Sequence, residues 1–564
     1  LTQHLTRPRK ERNTPSPSPV HPDMLQPQAH ISAQECERGI RFLMIDAAAA
    51  TAIGALNSGV VLLALALHIG ASTIAIGYLA AIPLLTQVLQ APMVKLVERV
   101  RRRKLLSVSG VFIARLALPI YAAVPFIPSR RVATIVLLCA ALLHYGVNAA
   151  SACSWNSWIR DLVPADRLGH FSSRRGLYGT IVSAGATVTA AVALGWAQGS
   201  ETIGDRIFSA LYIAGFIFGL ISAAALAQVP EPVMAAESVG APLHRLLWEP
   251  LRHANFRKLL RYVASWQFAV NLATPFFTVY FVRALGFSMS FVLMLTVISQ
   301  LANVAFVRQW GRLSDRFTNK STLAVASPLY LLCVAAMAFA SDVPGDTARA
   351  TYLILLHIVM GASGAGVGLA AGNIVMKLSP SGAATSFMAT NALVSALAAG
   401  SAPIVGGWAA DFFARRRLEL SLNWFSPSGV EQLLGITFSH WEFFFLLSAL
   451  LGLYSLHRLS AIEEPGAVER REVVQHIFTS ARRTLRNASS VAGLRLAVTF
   501  PGGELIKLRE RAPLLLENLF EDEKRVAAAP PRSAALAKLL GSAFEQPAND
   551  ADFEDLLKRL DHAA

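Results

Sequence analysis

The stretch Gly311-Arg312-Leu313-Ser314-Asp315-Arg316-Phe317-Thr318-Asn319-Lys320 is a short charged turn between two long apolar runs. A second stretch, Val94-Lys95-Leu96-Val97-Glu98-Arg99-Val100-Arg101-Arg102-Arg103-Lys104, repeats its order of an acid, then Arg, then further cations. Asp315 and Glu98 lie 217 positions apart. Pro164 and Pro380, each behind an apolar run, lie 216 apart. Two landmarks at nearly one offset mark an internal duplication, and the repeated unit is the key to the fold.

The runs between these landmarks dominate the chain. Of 564 residues 54% are hydrophobic and 15% charged, whereas soluble domains carry about 25% charged residues. The mean hydropathy is +0.46. Twelve apolar stretches follow one another, at 42–69, 73–97, 105–127, 132–155, 176–198, 207–228, 259–282, 288–309, 321–340, 350–376, 383–412 and 441–459. About 20 residues suffice to cross roughly 30 Å of hydrocarbon as a helix. The charged turns follow the second and eighth stretches and the prolines follow the fourth and tenth, so the duplicated unit is six helices. Six is even, so both halves keep one orientation, related by an axis along the membrane normal. The expected fold is an all-α integral membrane protein of 12 transmembrane helices in two pseudo-symmetric six-helix bundles. Residues 41–228 form the first bundle, 229–258 a cytoplasmic linker and 259–460 the second bundle.

Charge sets the orientation. The chain carries +15 net charge with pI ≈ 10.0. About twenty Lys and Arg fall in the connections on the side of the N-terminus, against about eight on the other side, which by the positive-inside rule places both termini in the cytoplasm. The location expected is the cytoplasmic (inner) membrane, multi-pass. The cations are dispersed over many loops rather than gathered in one stripe, so no nucleic-acid partner is expected.

Outside the bundles, residues 1–40 are polar and Pro-rich, the composition of a disordered tail. The first apolar run is too long for the core of a cleavable signal, and Met24 is an alternative first residue to Leu1. Residues 461–564 turn hydrophilic. There Val473, Val474, Ile477, Phe478, Ala481 and Leu485 share one helical face, with Arg471, Arg482, Arg483 and Arg486 off it. Such a helix either lies on the lipid of the inner leaflet or packs on the cytoplasmic side of the bundle.

Motifs of soluble chemistry are missing. There is no H-E-x-x-H, no C-x-x-C and no G-x-x-x-x-G-K-[ST], so zinc hydrolase and P-loop ATPase readings lack their key residues. Gly364-Ala365-Gly366-Val367-Gly368 sits inside an apolar run without a preceding strand and reads as close helix packing rather than a nucleotide loop. No enzyme activity, metal or cofactor is expected.

At this point the sequence resembles the major facilitator superfamily of secondary transporters. Residues 311–320 match its loop motif G-x-L-[AS]-D-R-x-x-x-[KR]. Trp158-Ile159-Arg160-Asp161-Leu162-Val163-Pro164 with Arg174-Arg175-Gly176 is similar to its loop between helices four and five, and Gly400 to Gly407 is similar to its eleventh helix. The first-half copy departs from the loop motif, with Val94 and Arg101 where Gly is expected and Glu98 for Asp. Helix five lacks a Gly-Pro-x-x-Gly-Gly element, which argues against the drug/proton antiporter branch. The resemblance implies that the loops act as a cytoplasmic gate, latching the halves through Gly311, Asp315, Arg316 and Lys320 and, in the first half, Glu98 and Arg99. Gly311 would permit close helix approach, and Asp315 would accept the first amides of the following helix.

The resemblance also implies that the first helix of each three-helix unit lines a central cavity, and those helices carry polar stripes. Helix one offers Asp46 and Asn57; helix four His144, Asn148, Ser151 and Trp155; helix seven Gln267, Asn271, Thr274 and Thr278; helix ten His357. Asn57, His144, Asn148, Ser151, Gln267, Asn271, Thr274 and His357 are therefore the candidate solute contacts. Small polar residues also serve as glue between helices. Ionisable groups at membrane depth are costly, about 2.5–3.5 kcal/mol each on insertion scales, so Asp46 and Arg115 are candidates for a proton carrier and for a buried ion pair with each other. The function expected is secondary active transport of a small solute by alternating access, with protons as the candidate coupling ion. The alternative is a non-transporting membrane sensor or assembly platform with output through the C-terminal tail.

Overall fold

The computed structural model describes residues 26–234, 243–380, 384–426 and 429–465. Twelve long helices fill them, and we number these α1–α12: α1 Ala33–His68, α2 Thr73–Val100, α3 Arg103–Phe126, α4 Arg130–Leu162, α5 Ala165–Trp196, α6 Glu201–Ala227, α7 Ala254–Val279, α8 Met289–Arg316, α9 Asn319–Phe339, α10 Asp346–Lys377, α11 Ala384–Phe413 and α12 His440–Ser460. Each coincides with one expected stretch. Eleven are long and apolar enough to cross a membrane. The one outside that set is α7, whose Gln267, Asn271, Thr274 and Thr278 dilute its apolar character.

Local chemistry explains where the helices begin. Ser32, Ser72, Ser129, Ser200, Ser288 and Thr318 are N-caps whose hydroxyls accept an amide of the first turn, each worth about 1 kcal/mol. At Ser32 the cap is reciprocal, because Glu35 returns a carboxylate to the Ser32 amide (2.8 Å). This capping box corrects the expected tail: α1 starts at Ala33, within the span read as disordered. Gln28 is tied down as well, its amide donating to Glu231 O (2.7 Å) and its carbonyl accepting from Val233 N (3.2 Å). Two glycines with positive φ divide the first two helices. Gly59 (+54°) interrupts α1 after Ser58, and Gly70 (+74°) makes the tight turn into α2, a conformation glycine adopts without steric cost.

Between the halves, a short helix at Leu243–Arg252 precedes α7. One element outside the membrane helices was not anticipated. Between α11 and α12 the chain forms an antiparallel hairpin of β1 Arg417–Ser426 and β2 Gly429–Ser439. The first half has only the turn Ala197–Ser200 at the corresponding place. The amphipathic helix expected around Val473–Leu485, like most of the N-terminal tail, lies outside the described residues.

Both bundles use one device at the face where α1 begins and α12 ends, here called the terminus face. After α6, the buried Glu231 carboxylate accepts the first amides of α3, from Arg103 (2.7 Å) and Lys104 (3.1 Å). After α12, the buried Glu464 accepts the first amides of α9, from Asn319 (3.4 Å) and Lys320 (2.6 Å). A carboxylate at a helix N-terminus is favoured by both the unpaired amides and the helix dipole. Cations complete each cluster. Arg103 also binds Asp161 and Pro232 O, and Lys377 pairs with Glu464 at 2.9 Å. The packed structure of the second half therefore includes residues after α12, with Ile462 and Glu464 buried.

Candidate functional site

Contacts between the halves are concentrated on the face opposite the termini. There α2 and α11 meet backbone to backbone: a Cβ on Gly77 would lie 2.4 Å from Pro403 O, and one on Gly407 3.1 Å from Ile74 Cα. Helices α5 and α8 are joined by Ser290 Oγ donating to Ala191 O (2.7 Å). The Arg283 guanidinium, at the end of α7, donates to Ala71 O in the α1–α2 turn (2.7 Å).

Towards the terminus face a cavity of about 930 Å³ separates the halves. Its walls are Ala47 and Thr51 of α1, Trp155 to Arg160 of α4, Phe171 to Ser183 of α5, and Thr296, Ser299, Gln300 and Asn303 of α8. Arg160, Asn156 and Ser172 are exposed, so the cavity is open on that side. A second cavity of about 660 Å³ is lined by the second bundle together with Val60 of α1, and shares the wall Thr296, Ser299 and Asn303. It is bounded by α7 (Trp266, Gln267, Thr274, Thr278), by Tyr330 of α9, by α10 (His357, Gly361, Gly364, Gly368) and by Asn391 of α11.

Of the residues singled out in the sequence, Gln267, Thr274, Thr278 and His357 line the second cavity and Trp155 lines the first. Asn271 is next to it in sequence but turns its amide onto Gln267 O (2.8 Å) and is not part of either lining. The first-half candidates serve as helix glue instead. Asn57, 1% exposed, donates to Leu211 O (3.1 Å) and sits against Gly215 of α6. His144 Nδ1 meets Ala114 O of α3 at 3.0 Å. Ser151 packs on Gly110 of α3 and donates to Asn148 O (3.0 Å), and Asn148 lines neither cavity. The physical reason is common to all of them. A buried polar side chain takes the nearest carbonyl, and on these faces the nearest carbonyl belongs to a neighbouring or the same helix.

The expected Asp46–Arg115 ion pair is not formed in this conformation. Asp46 accepts from Ser222 Oγ of α6 (2.7 Å), and no nitrogen of Arg115 comes within 4.0 Å of it. Arg115 lies against Gly219 with its Nε buried and unpartnered.

The expected gate is also arranged differently. Gly311 makes no close approach, since a Cβ there would meet Leu369 at an ordinary 3.8 Å. The α9 amides go to Glu464, and exposed Asp315 has no hydrogen bond or ion pair among the described residues. Glu98 and Arg99 are exposed, Arg316 lies over Phe317, and Lys320 binds Ser460 O and Ile462 O. No latch joins the halves on the terminus face among the described residues, as the open cavity there requires. Burial works against the charge on Glu464, yet the Lys377 ammonium, the Lys320 amide and Asn319 hold its carboxyl below the ordinary value.

Two sets of lining residues escaped the sequence reading. Thr296, Ser299, Gln300 and Asn303 fall at helical spacing on one face of α8, a polar stripe as clear as that of α7. The family resemblance points to helices one, four, seven and ten, and α8 is not among them. Arg160 and Arg175 read as loop cations in sequence. Only the tertiary structure turns them into the cavity, with the Arg175 guanidinium 4.4 Å from the centre of the Trp155 ring.

The family model for the Major Facilitator Superfamily matches residues 44–403. No curated protein matches in sequence. Among solved structures the chain is similar to a nucleoside transporter, at 13% identity and TM-score 0.57, covering 76% of this chain and 100% of that one. It is similar also to a D-xylose–proton symporter, at 14% identity and TM-score 0.55, covering 77% and 99%. A third is a bacterial homologue of the iron transporter ferroportin in an inward-facing state, at 13% identity and TM-score 0.54, covering 76% and 99%. At these identities the likeness is one of fold.

Proposed function

The chain belongs to the Major Facilitator Superfamily of secondary transporters, and from that premise we propose that it moves a small solute across the cytoplasmic membrane by alternating access. One observation carries this reading: the halves are packed backbone to backbone on one face and parted by a cavity on the other. That is the geometry of one end state of a rocking pair of bundles. The excess of cations in the connections of the terminus face assigns that face to the cytoplasm, so the conformation is inward-facing. The solute would rest against the α8 wall of Thr296, Ser299 and Asn303, with Gln267, Thr274 and His357 reached from the second cavity.

Closing the terminus face would bring the α2–α3 and α8–α9 loops together, where Glu98 and Asp315 stand free to meet cations of the other half. Protons remain the proposed coupling ion, with Asp46, next in sequence to the lining residue Ala47, as the candidate carrier. Among the described residues no observation favours the sensor alternative. Proteoliposomes holding the purified chain, tested with a solute panel under an imposed pH gradient, should show saturable flux that responds to the gradient. Absence of flux for every solute, together with loss of the cellular phenotype on deleting residues after 465, would transfer support to the sensor.

A further inference from the structure

Resting on the transporter reading, we infer that the solute is an organic anion, a carboxylate or phosphate carried on a planar ring. The charge of the larger cavity is one-sided. Arg160 and Arg175 line it, and among the described residues no Asp or Glu does. Arg175 is stacked on Trp155 but makes no hydrogen bond among the described residues, and its Nε is buried without a partner. Arg160 has neither hydrogen bond nor ion pair there. The acid within electrostatic reach of Arg175 is Asp46. Asp46 is held by Ser222 on the far side of α1 and forms no ion pair with any of the arginines around it. A guanidinium held over an indole ring keeps the N–H fork that suits the two oxygens of a carboxylate or phosphate. An orphaned buried donor in a solvent-accessible cavity is a cost that such a ligand would remove.

The adjoining cavity supplies the other half of the solute. Tyr262, Trp266, Tyr330, Phe277 and Phe281 surround it, and aromatic rings favour stacked or edge contact with another ring. Among the described residues its one orphaned group is an acceptor, Asn391 Oδ1, buried and unpartnered. The two compartments meet at Thr296, Ser299 and Asn303, so a single solute can place an anionic head at Arg175 and its ring among the aromatics. Neutral sugars would leave both arginines unpaired, and a cation would be repelled by them.

The test is thermal stabilisation of the purified full chain in detergent by four ring compounds: benzoate, phenyl phosphate, benzamide and benzylamine. Benzoate or phenyl phosphate should raise the unfolding midpoint and the amide and amine should not. Arg175→Gln should weaken the anion's half-saturation about tenfold or more, Arg160→Gln less, and Arg175→Lys should restore part of it. If Arg175→Gln does not fold, Arg175→Lys and Arg160→Gln carry the comparison. Equal stabilisation by benzamide or benzylamine, an anion response indifferent to both arginines, or no response to either anion overturns the inference. Anion binding through Arg175 without counterflow of that anion in proteoliposomes would leave the inference standing and remove the transporter reading.

Discussion

Replacing Gly77 by Ala should shift the balance between the two end states without touching the cavity. A Cβ at this position would lie 2.4 Å from Pro403 O, 3.2 Å from Gly407 Cα and 3.3 Å from Gly407 N. Carbon–oxygen contacts settle near 3.3–3.6 Å, so α2 and α11 must part by about 1 Å. All three atoms are backbone, and no rotamer change can relieve the clash. Overpacking of this kind costs about 1–3 kcal/mol, and the cost falls only on the conformation in which these helices touch. The ratio of the two states should therefore move by about 5- to 150-fold away from the present one. Spin labels at exposed Arg99 and Arg312, one on each half at the terminus face, report the change as a shortened distance in double electron–electron resonance. Gly185→Ala on α5 is the control, since nothing lies within 4 Å of its Cβ. An unchanged distance distribution accompanied by a lower unfolding temperature would show that α2 and α11 are fixed packing partners, and the alternating-access reasoning would fail with it.

Other outcomes follow from single residues. Glu464→Gln removes the charge that caps α9 and pairs with Lys377, and should cost about 1–3 kcal/mol in thermal unfolding. Because the folded carboxyl sits below its ordinary value of 4.5, the wild-type advantage should be present above about pH 4.5 and fade as pH falls through the lowered value. Arg101 ends α2 at φ +54°, where a side chain costs about 1–2 kcal/mol. Arg101→Gly should therefore raise the unfolding midpoint, and a decrease would mean that the Arg101 side chain contributes more than its strained backbone costs. A cysteine at Asn303, on the shared cavity wall, should be shielded from a water-soluble maleimide by the transported solute. A cysteine at Asn148 should not be, and equal protection of both would return α4 to the solute path.

Much of this architecture was legible before any coordinates. The hydropathy of the runs and the 216–217 offset required two six-helix halves, since apolar stretches of about 20 residues have one stable form in lipid. The start of α1 was missed: the Pro-rich composition of residues 1–40 reads as tail and outweighs the local capping pair of Ser32 and Glu35. The acids at the helix N-termini were not legible. Asp315 stands five residues from Lys320 and looked like its cap, whereas Glu464, 144 positions away, holds those amides. Sequence distance carries no information about which of two acids the fold brings to a helix end.

The same limit governs the candidate site. Polar spacing told which faces of α4 and α7 were polar, and helical period makes that a local property. Whether a polar face meets solvent or another helix depends on the neighbour, and Gly110, Gly215 and Gly219 let α3 and α6 close over Ser151, Asn57 and Arg115. Conversely Arg175, an ordinary loop cation by sequence, became a cavity wall because α5 tilts it over Trp155. Composition and periodicity determined the number, length and duplication of the membrane helices, because each is a property of the segments themselves or of their contact with lipid. The cavity, its arginines and the sealed face were decided only by tertiary structure, because each depends on which side chains two separately encoded halves present to one another.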